Sequence, residues 1–373
     1  MRHKRLNGEG SNLGLSTADA TRLKHAPTRR EVLKVLSGAT AGIAVSAINV
    51  KAASIFQSVP AKTGRIDVHN HMLPPFYQKI RKAEAPGMSN SRSSAMRDWT
   101  PALAVEAMDK NGIATAMTSL AVGGVSFNGP GARALARDGN EYGARMVSDY
   151  PGRFGLFAAL PLPDQDASLQ ELAYAFDTLK ADGIALLTDY GDKWPGDPIY
   201  VPVFEELNRR KAVVFVHPTV PTCCAGLVPG VTPSLTEYLF DTARAITSFL
   251  VNGTFTRFPD VRFIFCHSGG TAPVLANRIN TLLPKEISEK LPDGVLGEFK
   301  KLYYDVANAT SPSPLAALTD LVPSSQILFG SDFPFVAIET TTGPLEAAAL
   351  PVSEMQAINR GNAERLFPRL RKS

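Results

Sequence analysis

From residue 65 onward the chain alternates between short apolar runs and longer stretches of mixed polarity. The apolar runs fall at 65–71, 113–122, 153–160, 183–188, 212–217, 261–267, 302–307 and 326–331. Most are near-continuous rather than alternating, as in strands covered on both faces. Between them, apolar positions return at helical spacing. Over 166–181, Leu169, Leu172, Ala173, Phe176 and Leu179 form one stripe, stopped by Asp182-Gly183. A helix is predicted over 101–111, opened by Thr100 and Pro101 and closed by Gly112. Others are predicted over 130–150, 198–210 (capped by Asp197), 234–257, 271–283, 312–321 and, near the end, 352–367. The stretch 72–100, with Pro74-Pro75 and Pro86-Gly87, reads as a long irregular lid.

Strand and helix in repeated alternation predict parallel βα units, and a single domain over 53–373 has the length of a (β/α)8 TIM barrel with insertions. A doubly wound open sheet is the alternative. It would hold the first and last strands apart, and no GxGxxG follows the first strand.

The segment before the first strand has a different pattern. Thr28-Arg29-Arg30-Glu31-Val32-Leu33-Lys34 leads into a mildly apolar run over 35–50, then the small-residue exit Ala52-Ala53-Ser54. That order is the order of a signal peptide, and its arginine pair resembles a twin-arginine export signal with Val32 where Phe is usual. Residues 1–52 are therefore set apart as a twin-arginine-type signal, which implies the Tat export machinery as a partner and a periplasmic or otherwise exported product. The whole chain has 373 residues, 44 % hydrophobic and 20 % charged, with a formal charge of +4 drawn largely from that segment. No basic face interleaved with aromatics marks a nucleic-acid partner. Three cysteines, two of them the adjacent Cys223-Cys224, make neither a disulfide framework nor a CxxC metal spacing.

Candidate chemistry gathers at the ends of the predicted strands. His69 and His71 close the first at i, i+2 spacing, which puts both imidazoles on one face. His217 ends VVFVHP, His267 ends FIFCHSGG, and Asp332 ends ILFGSDFP. In a barrel these strand ends share one mouth. His69, His71, His217 and Asp332 make a nitrogen-rich set with one carboxylate, suited to one divalent ion, Zn2+ before others, with a position left open. The fourth strand carries no lysine to bridge a second ion, since Lys193 lies in the loop beyond it. His267 is thus expected beside the single metal, as a base or an orienter of water.

The motifs HxH, VHP, HSGG and GSDFP, with the wording RIDVHNHMLPPFY, PGRFGLFAALPLPD and GTFTRFPDVRFIFCHSGG, resemble the amidohydrolase superfamily. The likeness covers essentially all of the chain after the signal. It is closest to the metal-dependent, non-oxidative decarboxylases, the branch of aminocarboxymuconate-semialdehyde decarboxylase and 6-methylsalicylate decarboxylase. The resemblance implies His69, His71, His217 and Asp332 as metal ligands, with His267 holding or deprotonating water there and His267 and Asp332 as the catalytic pair. It also implies a homodimer in which an arginine eleven residues after that histidine, here Arg278, enters the neighbour's site. The expected substrate is a small aromatic carboxylate with an ortho hydroxyl, its charge paired by Arg244, Arg278 or Arg92, its ring beside Trp99, Phe76, Tyr190 or Trp194. The rival reading keeps the site and hydrolyses an amide, ester or lactone. A barrel that has lost catalysis would lack ligands, and none is missing.

Overall fold

The computed structural model describes residues 64–84, 96, 98–121, 124–191 and 193–372. The segment 1–52 and Arg92 lie outside them. Contacts gather Ser58–Ser373 into one unit. Its strands are β1 (Arg65–Met72), β2 (Ile113–Leu120), β3 (Phe154–Ala159), β4 (Gly183–Leu187), β5 (Val213–His217), β6 (Arg262–Phe265), β7 (Tyr303–Asp305) and β8 (Ile327–Leu328). Every neighbouring pair is parallel and the order is β1 to β8 without a crossover.

The segment after β8 returns to β1. Val68 N donates to Phe329 O at 2.9 Å, Asp332 N to His69 O at 2.8 Å and His71 N to Phe333 O at 2.8 Å. The first and last strands therefore meet, which a doubly wound sheet forbids, and the expected barrel is the fold. Strand eight was expected over 326–331, but only Ile327–Leu328 pairs as a strand. From Phe329 on, the backbone turns to serve the site and the seam.

The longer helices that cover the strands are α1 (Pro75–Glu84), α2 (Pro101–Lys110), α3 (Ala132–Asp149), α4 (Gln165–Asp177), α5 (Val201–Arg209), α6 (Glu237–Val251), α7 (Ala272–Leu282), α8 (Gly294–Lys301), α9 (Pro312–Leu321) and α10 (Glu339–Ala347). Thr100 caps α2 as expected, its hydroxyl accepting from Leu103 N at 3.2 Å. Three expectations change. α1 lies in the stretch read as irregular, because Pro75 opens the helix instead of breaking it, the one helical position where a missing N–H costs nothing. The helix expected over 234–257 stops at Val251, where Gly253 takes φ 69°. The one expected over 352–367 is broken by a π-turn at Ala357–Gly361. Among the described residues no helix is long and apolar enough to cross a membrane.

Two apolar layers result. One packs strands against helices. The other fills the barrel with Ile66, Val68, Met117, Ile264, Cys266 and Leu328 around Phe157 and Phe215, whose rings stack at 5.2 Å. Each such phenylalanine contributes about 1.5–3 kcal/mol by burial. Phe367 packs edge-on to Phe157 at 5.8 Å, and His69 edge-on to Phe215 at 5.1 Å. The stacked pair is thus the floor on which the polar cluster stands.

Candidate metal centre

A bulge in β1 puts its histidines above that floor. Asp67 pairs with Ala116 and Asn70 with Thr118, so that Val68 and His69 stand opposite Met117 alone. The extra residue shifts the alternation, so that Ile66 and Val68 face the interior and His69 and His71 also do. Asp67, fully buried, fixes the bulge. Its Oδ1 accepts from His69 N and Ser331 N, both at 3.0 Å, and its Oδ2 from Ser331 Oγ at 2.6 Å and Asn70 Nδ2 at 3.1 Å.

His217 needs no such device, because it follows Phe215 by two residues on β5 and shares its face. His267 and Asp332 are turned in by backbone conformation. Cys266 occupies the inward position of β6, and His267 swings back only because it adopts φ 54°. Asp332 adopts φ 66°. Left-handed conformations of this kind cost about 1–2 kcal/mol each in non-glycine residues. Hydrogen bonds hold them: His267 N donates to Asp305 Oδ1 at 3.0 Å and Asp332 N to His69 O. Between them, Gly330 passes so close that a Cβ there would lie 2.8 Å from the Cβ atoms of both His69 and Asp305.

The side chains of four predicted ligands converge. His69 Nε2 lies 3.1 Å from His71 Nε2, and Asp332 Oδ1 lies 3.3 Å from each. His217 joins them, all four ligand atoms standing within 4.8 Å of one another. Ligands about 2.0–2.1 Å from a tetrahedral zinc would stand about 3.3–3.4 Å apart, close to the separations in the triad of His69, His71 and Asp332. His217 Nε2 and Asp332 Oδ1 are buried and have no hydrogen-bond partner. Unsatisfied buried groups are costly, and a cation would satisfy both. His267 belongs to no ligand cluster among the described residues. It lies beside this one, with Nε2 3.4 Å from Asp332 Oδ2 and its ring 5.0 Å from that of His69.

Each imidazole is aimed through its other nitrogen. His69 Nδ1 pairs with Asp305 Oδ2 at 3.0 Å, His217 Nδ1 with Pro218 O at 2.8 Å and His71 Nδ1 with Ser119 Oγ at 3.1 Å. A carboxylate or carbonyl at Nδ1 accepts a proton there and leaves Nε2 bare for a cation. Electrostatics separate the three. Burial works against charge on His69, but Asp305 and then Asp332 outweigh it and push its pKa up to about 10. His71 is lowered by burial, against the pull of Asp332. His217 is driven well below the ordinary range by burial and then by its neighbours His71 and His69. Asp332 stays well below the usual carboxylate range, since the His69 charge and the His267 hydrogen bond overcome its burial. Without a cation, the cluster holds one proton on His69 in its place.

Asp305 is the functional residue that sequence reasoning passed over. Fully buried, it holds His69 with one oxygen and the backbone of His267 and Ala307 with the other. Other expectations fall elsewhere. Arg244 and Arg278 line an open groove between α6 and α7, with Phe240, Leu275 and Ile279, and no ligand residue lines it. Arg244 Nη1 stands 3.7 Å from Asp241 there. Trp99 and Phe76 pack around Tyr142, at 6.5 and 6.1 Å, and the Trp194 ring nitrogen donates to Asp241 at 2.9 Å. Tyr190 alone of the four expected ring neighbours lines the recess beside Ser119 and His217. Cys266 is buried and donates to Val216 O at 2.9 Å, while the thiols of Cys223 and Cys224 touch at 2.7 Å.

Comparison with known proteins gives the chain its family. The decarboxylase macB of Penicillium terrestre is 37 % identical over 326 residues, 82 % of this chain and 96 % of that protein. The 6-methylsalicylic acid decarboxylase of Penicillium expansum is 33 % identical over 326 residues, 82 % of this chain and 97 % of that one. In fold, a dihydroxybenzoic acid decarboxylase of a Polaromonas species, solved with manganese and 2-nitroresorcinol, matches with a TM-score of 0.70 at 21 % identity over 82 % of this chain and 97 % of its own. The amidohydrolase family model matches residues 66–369, from β1 past Asp332, and the chain belongs to that family.

Proposed function

We propose that the protein is a carboxy-lyase, a divalent-metal-dependent, non-oxidative decarboxylase of an aromatic acid of the 6-methylsalicylate kind. The observation that carries the reading is the His69–His71–His217–Asp332 cluster, with His267 beside it, in a chain 37 % identical to a named decarboxylase along 96 % of its length. Three imidazoles and one carboxylate favour zinc over manganese as the resident ion. His69, His71, His217 and Asp332 would hold the ion, which would supply Lewis-acid polarisation there.

The protein's own groups do the rest. Cleavage requires a proton on the ring carbon that bears the carboxylate. That carbon becomes tetrahedral, the electrons of its bond to the carboxyl carbon return to the ring, and CO2 leaves as aromaticity is restored. One proton is consumed and nothing is oxidised. His267 is the group placed to deliver that proton, its ring beside the cluster and its Nδ1 buried without a partner. Asp332 fixes the other nitrogen, and Asn308 Nδ2, donating to Asp332 Oδ2 at 3.0 Å, fixes Asp332.

The test is to incubate the metal-analysed protein with 6-methylsalicylate and related hydroxybenzoates and to follow CO2 and ring products. Near one zinc per chain, and turnover abolished in His217→Ala, is the expected result. Hydrolysis of lactones or amides without CO2 from any aromatic acid would overturn it, and near-stoichiometric manganese would overturn the choice of metal. Two further readings accompany the proposal. The groove of Arg244 and Arg278, rimmed by exposed Phe240 and Leu282, is assigned to a homodimer contact, checked by light scattering of the purified chain. Residues 1–52 are assigned to twin-arginine export, checked by whether Arg29→Lys with Arg30→Lys retains the protein in the cytoplasm.

A further inference from the structure

The inward side chains at the mouth ends of β2 to β5 are unequal in size. Ser119 follows Met117 by two residues on β2, Ala159 follows Phe157 on β3, Leu187 follows Ala185 on β4, and His217 follows Phe215 on β5. All four therefore continue the inward alternation above the phenylalanine floor. Ala159 is the small member, and a gap opens over it. The gap is an enclosed recess whose lining includes Ser119, Ala159, Ala185, Leu187, Tyr190 and His217, with room for about one water or one methyl group. That is too little for a ring. It lies directly beside the metal cluster, since His217 is one of the four predicted ligands and Ser119 Oγ stands 3.1 Å from Nδ1 of another, His71.

The walls are held in place, so the gap does not close by itself. The carboxamide of Asn140, fully buried on α3, accepts from Ala159 N at 2.8 Å and donates to Ala159 O at 2.9 Å. Glu171 Oε1 anchors the same amide at 2.8 Å. Tyr190 is tied to the next strand, its hydroxyl accepting from Leu187 N at 2.8 Å. Ala159 and Ala185 are partners across β3 and β4, two methyl side chains where larger ones would fill the space. The polar side chains that reach the recess are committed elsewhere, Ser119 to His71 and His217 to the metal cluster. Buried space of this kind favours a carbon group over a hydroxyl.

In 6-methylsalicylate the methyl group is ortho to the carboxylate, on the side away from the hydroxyl. An acid that meets the cluster through its oxygens therefore carries that methyl against the walls beside the cluster. On the decarboxylase reading above, we infer that this recess seats the carbon substituent ortho to the substrate's carboxylate, and that Ala159 is the specificity-determining residue that sets its size. Ala159 meets no reacting atom and acts by the volume it leaves. One carbon more or less in an apolar pocket changes kcat/KM by about tenfold to two-hundredfold. The recess thus selects acids with a methyl-sized ortho group over those with hydrogen there.

The experiment measures kcat/KM of the zinc-loaded wild type, Ala159→Val and Ala159→Gly for salicylate, 6-methylsalicylate and 6-ethylsalicylate. Ratios between acids within one protein are compared, because general damage lowers all three together and intrinsic ring reactivity is the same in every protein. Ala159→Val fills the recess and is expected to lower the ratio of 6-methylsalicylate to salicylate by about tenfold or more. Ala159→Gly deepens it by one carbon and is expected to raise the ratio of 6-ethylsalicylate to 6-methylsalicylate by about tenfold. Either variant carries the test if the other does not fold. Ratios that stay at the wild-type values overturn the recess while decarboxylation stands. A wild type that binds these acids without releasing CO2 overturns the decarboxylase reading, and the same ratios taken from calorimetric affinities then decide the recess. A wild type that binds none of them overturns both.

Discussion

Asp305→Asn tests the centre through a residue that meets no substrate. Asp305 is fully buried, accepts from His69 Nδ1 with one oxygen, and accepts from two backbone N–H groups, His267 at 3.0 Å and Ala307 at 2.9 Å, with the other. The asparagine keeps the shape. Its single oxygen stays with the two backbone donors, since turning it away would strand both. The amide NH2 then faces His69 Nδ1, where only a bare nitrogen is acceptable. His69 must move its proton to Nε2, the atom that faces His71, Asp332 and the cation. Losing a charge-assisted hydrogen bond costs about 1.5–3 kcal/mol. Loss of the partner behind a metal-bound imidazole typically lowers affinity about 10–100-fold, or about 1.4–2.8 kcal/mol, and the two routes agree. Competition against a chromophoric chelator should show zinc bound that much more weakly, with near-UV circular dichroism of the metal-free protein unchanged. Wild-type zinc affinity in a folded Asp305→Asn protein would refute the assignment of His69 as a ligand through Nε2.

Metal uptake should release about one proton per chain near pH 8, because His69, raised to about 10, is protonated in the metal-free protein while His71 and His217 are already neutral. Affinity should then rise about tenfold per pH unit up to about pH 10 and flatten above it; calorimetry in buffers of different ionisation enthalpy reads the proton count, and zero would contradict it. Gly330→Ala should destabilise the fold by about 1–3 kcal/mol and empty the site, since its Cβ meets His69 and Asp305 at 2.8 Å; unchanged melting and metal content would show that the backbone there gives way easily. Ser119→Ala removes a neutral partner of His71 and should weaken zinc less than Asp305→Asn does, by about tenfold or less on the same chelator assay.

The barrel and the gathering of His69, His71, His217 and Asp332 at its mouth were legible because both obey local rules. A buried parallel strand is an apolar run, and a histidine or aspartate just past such a run can only be at the mouth. His217 needed nothing more. What lay beyond local rules stayed hidden. Asp305 ends a run, YYD, that reads as any strand terminus, and its role depends on β7 lying beside β6 and near β1. His267 and Asp332 were identified by type, but regular alternation would have turned His267 away from the interior, and only its left-handed backbone reverses that. The bulge at Val68 and His69 is equally silent in the pattern, since His69 and His71 both follow it and alternate regularly with each other. α1 stays hidden for a composition-level reason: Pro74-Pro75 reads as a break where it is a start. Arg244 follows from charge, which carries no direction, and Arg278 from the resemblance, which sets it in a neighbouring copy's site rather than in its own.

The seam held by Asp67 also governs when the centre can come into being. Asp67 and Ser331 are 264 positions apart in the chain and are joined by two hydrogen bonds, and the flanking residues His69 and Asp332 enter the candidate metal cluster from the same two ends. A nascent chain that has emerged as far as β7 has three imidazoles and no carboxylate among the four, and nothing opposite Asp67. Assembly of the cluster is therefore coupled to the last topological event of folding, the meeting of the two chain ends of the barrel, and contacts of such long sequence separation form late and slowly. An ion bound there would act as a lock on a finished barrel: it would reward closure, so partial chains would gain little from it and complete ones would be held shut.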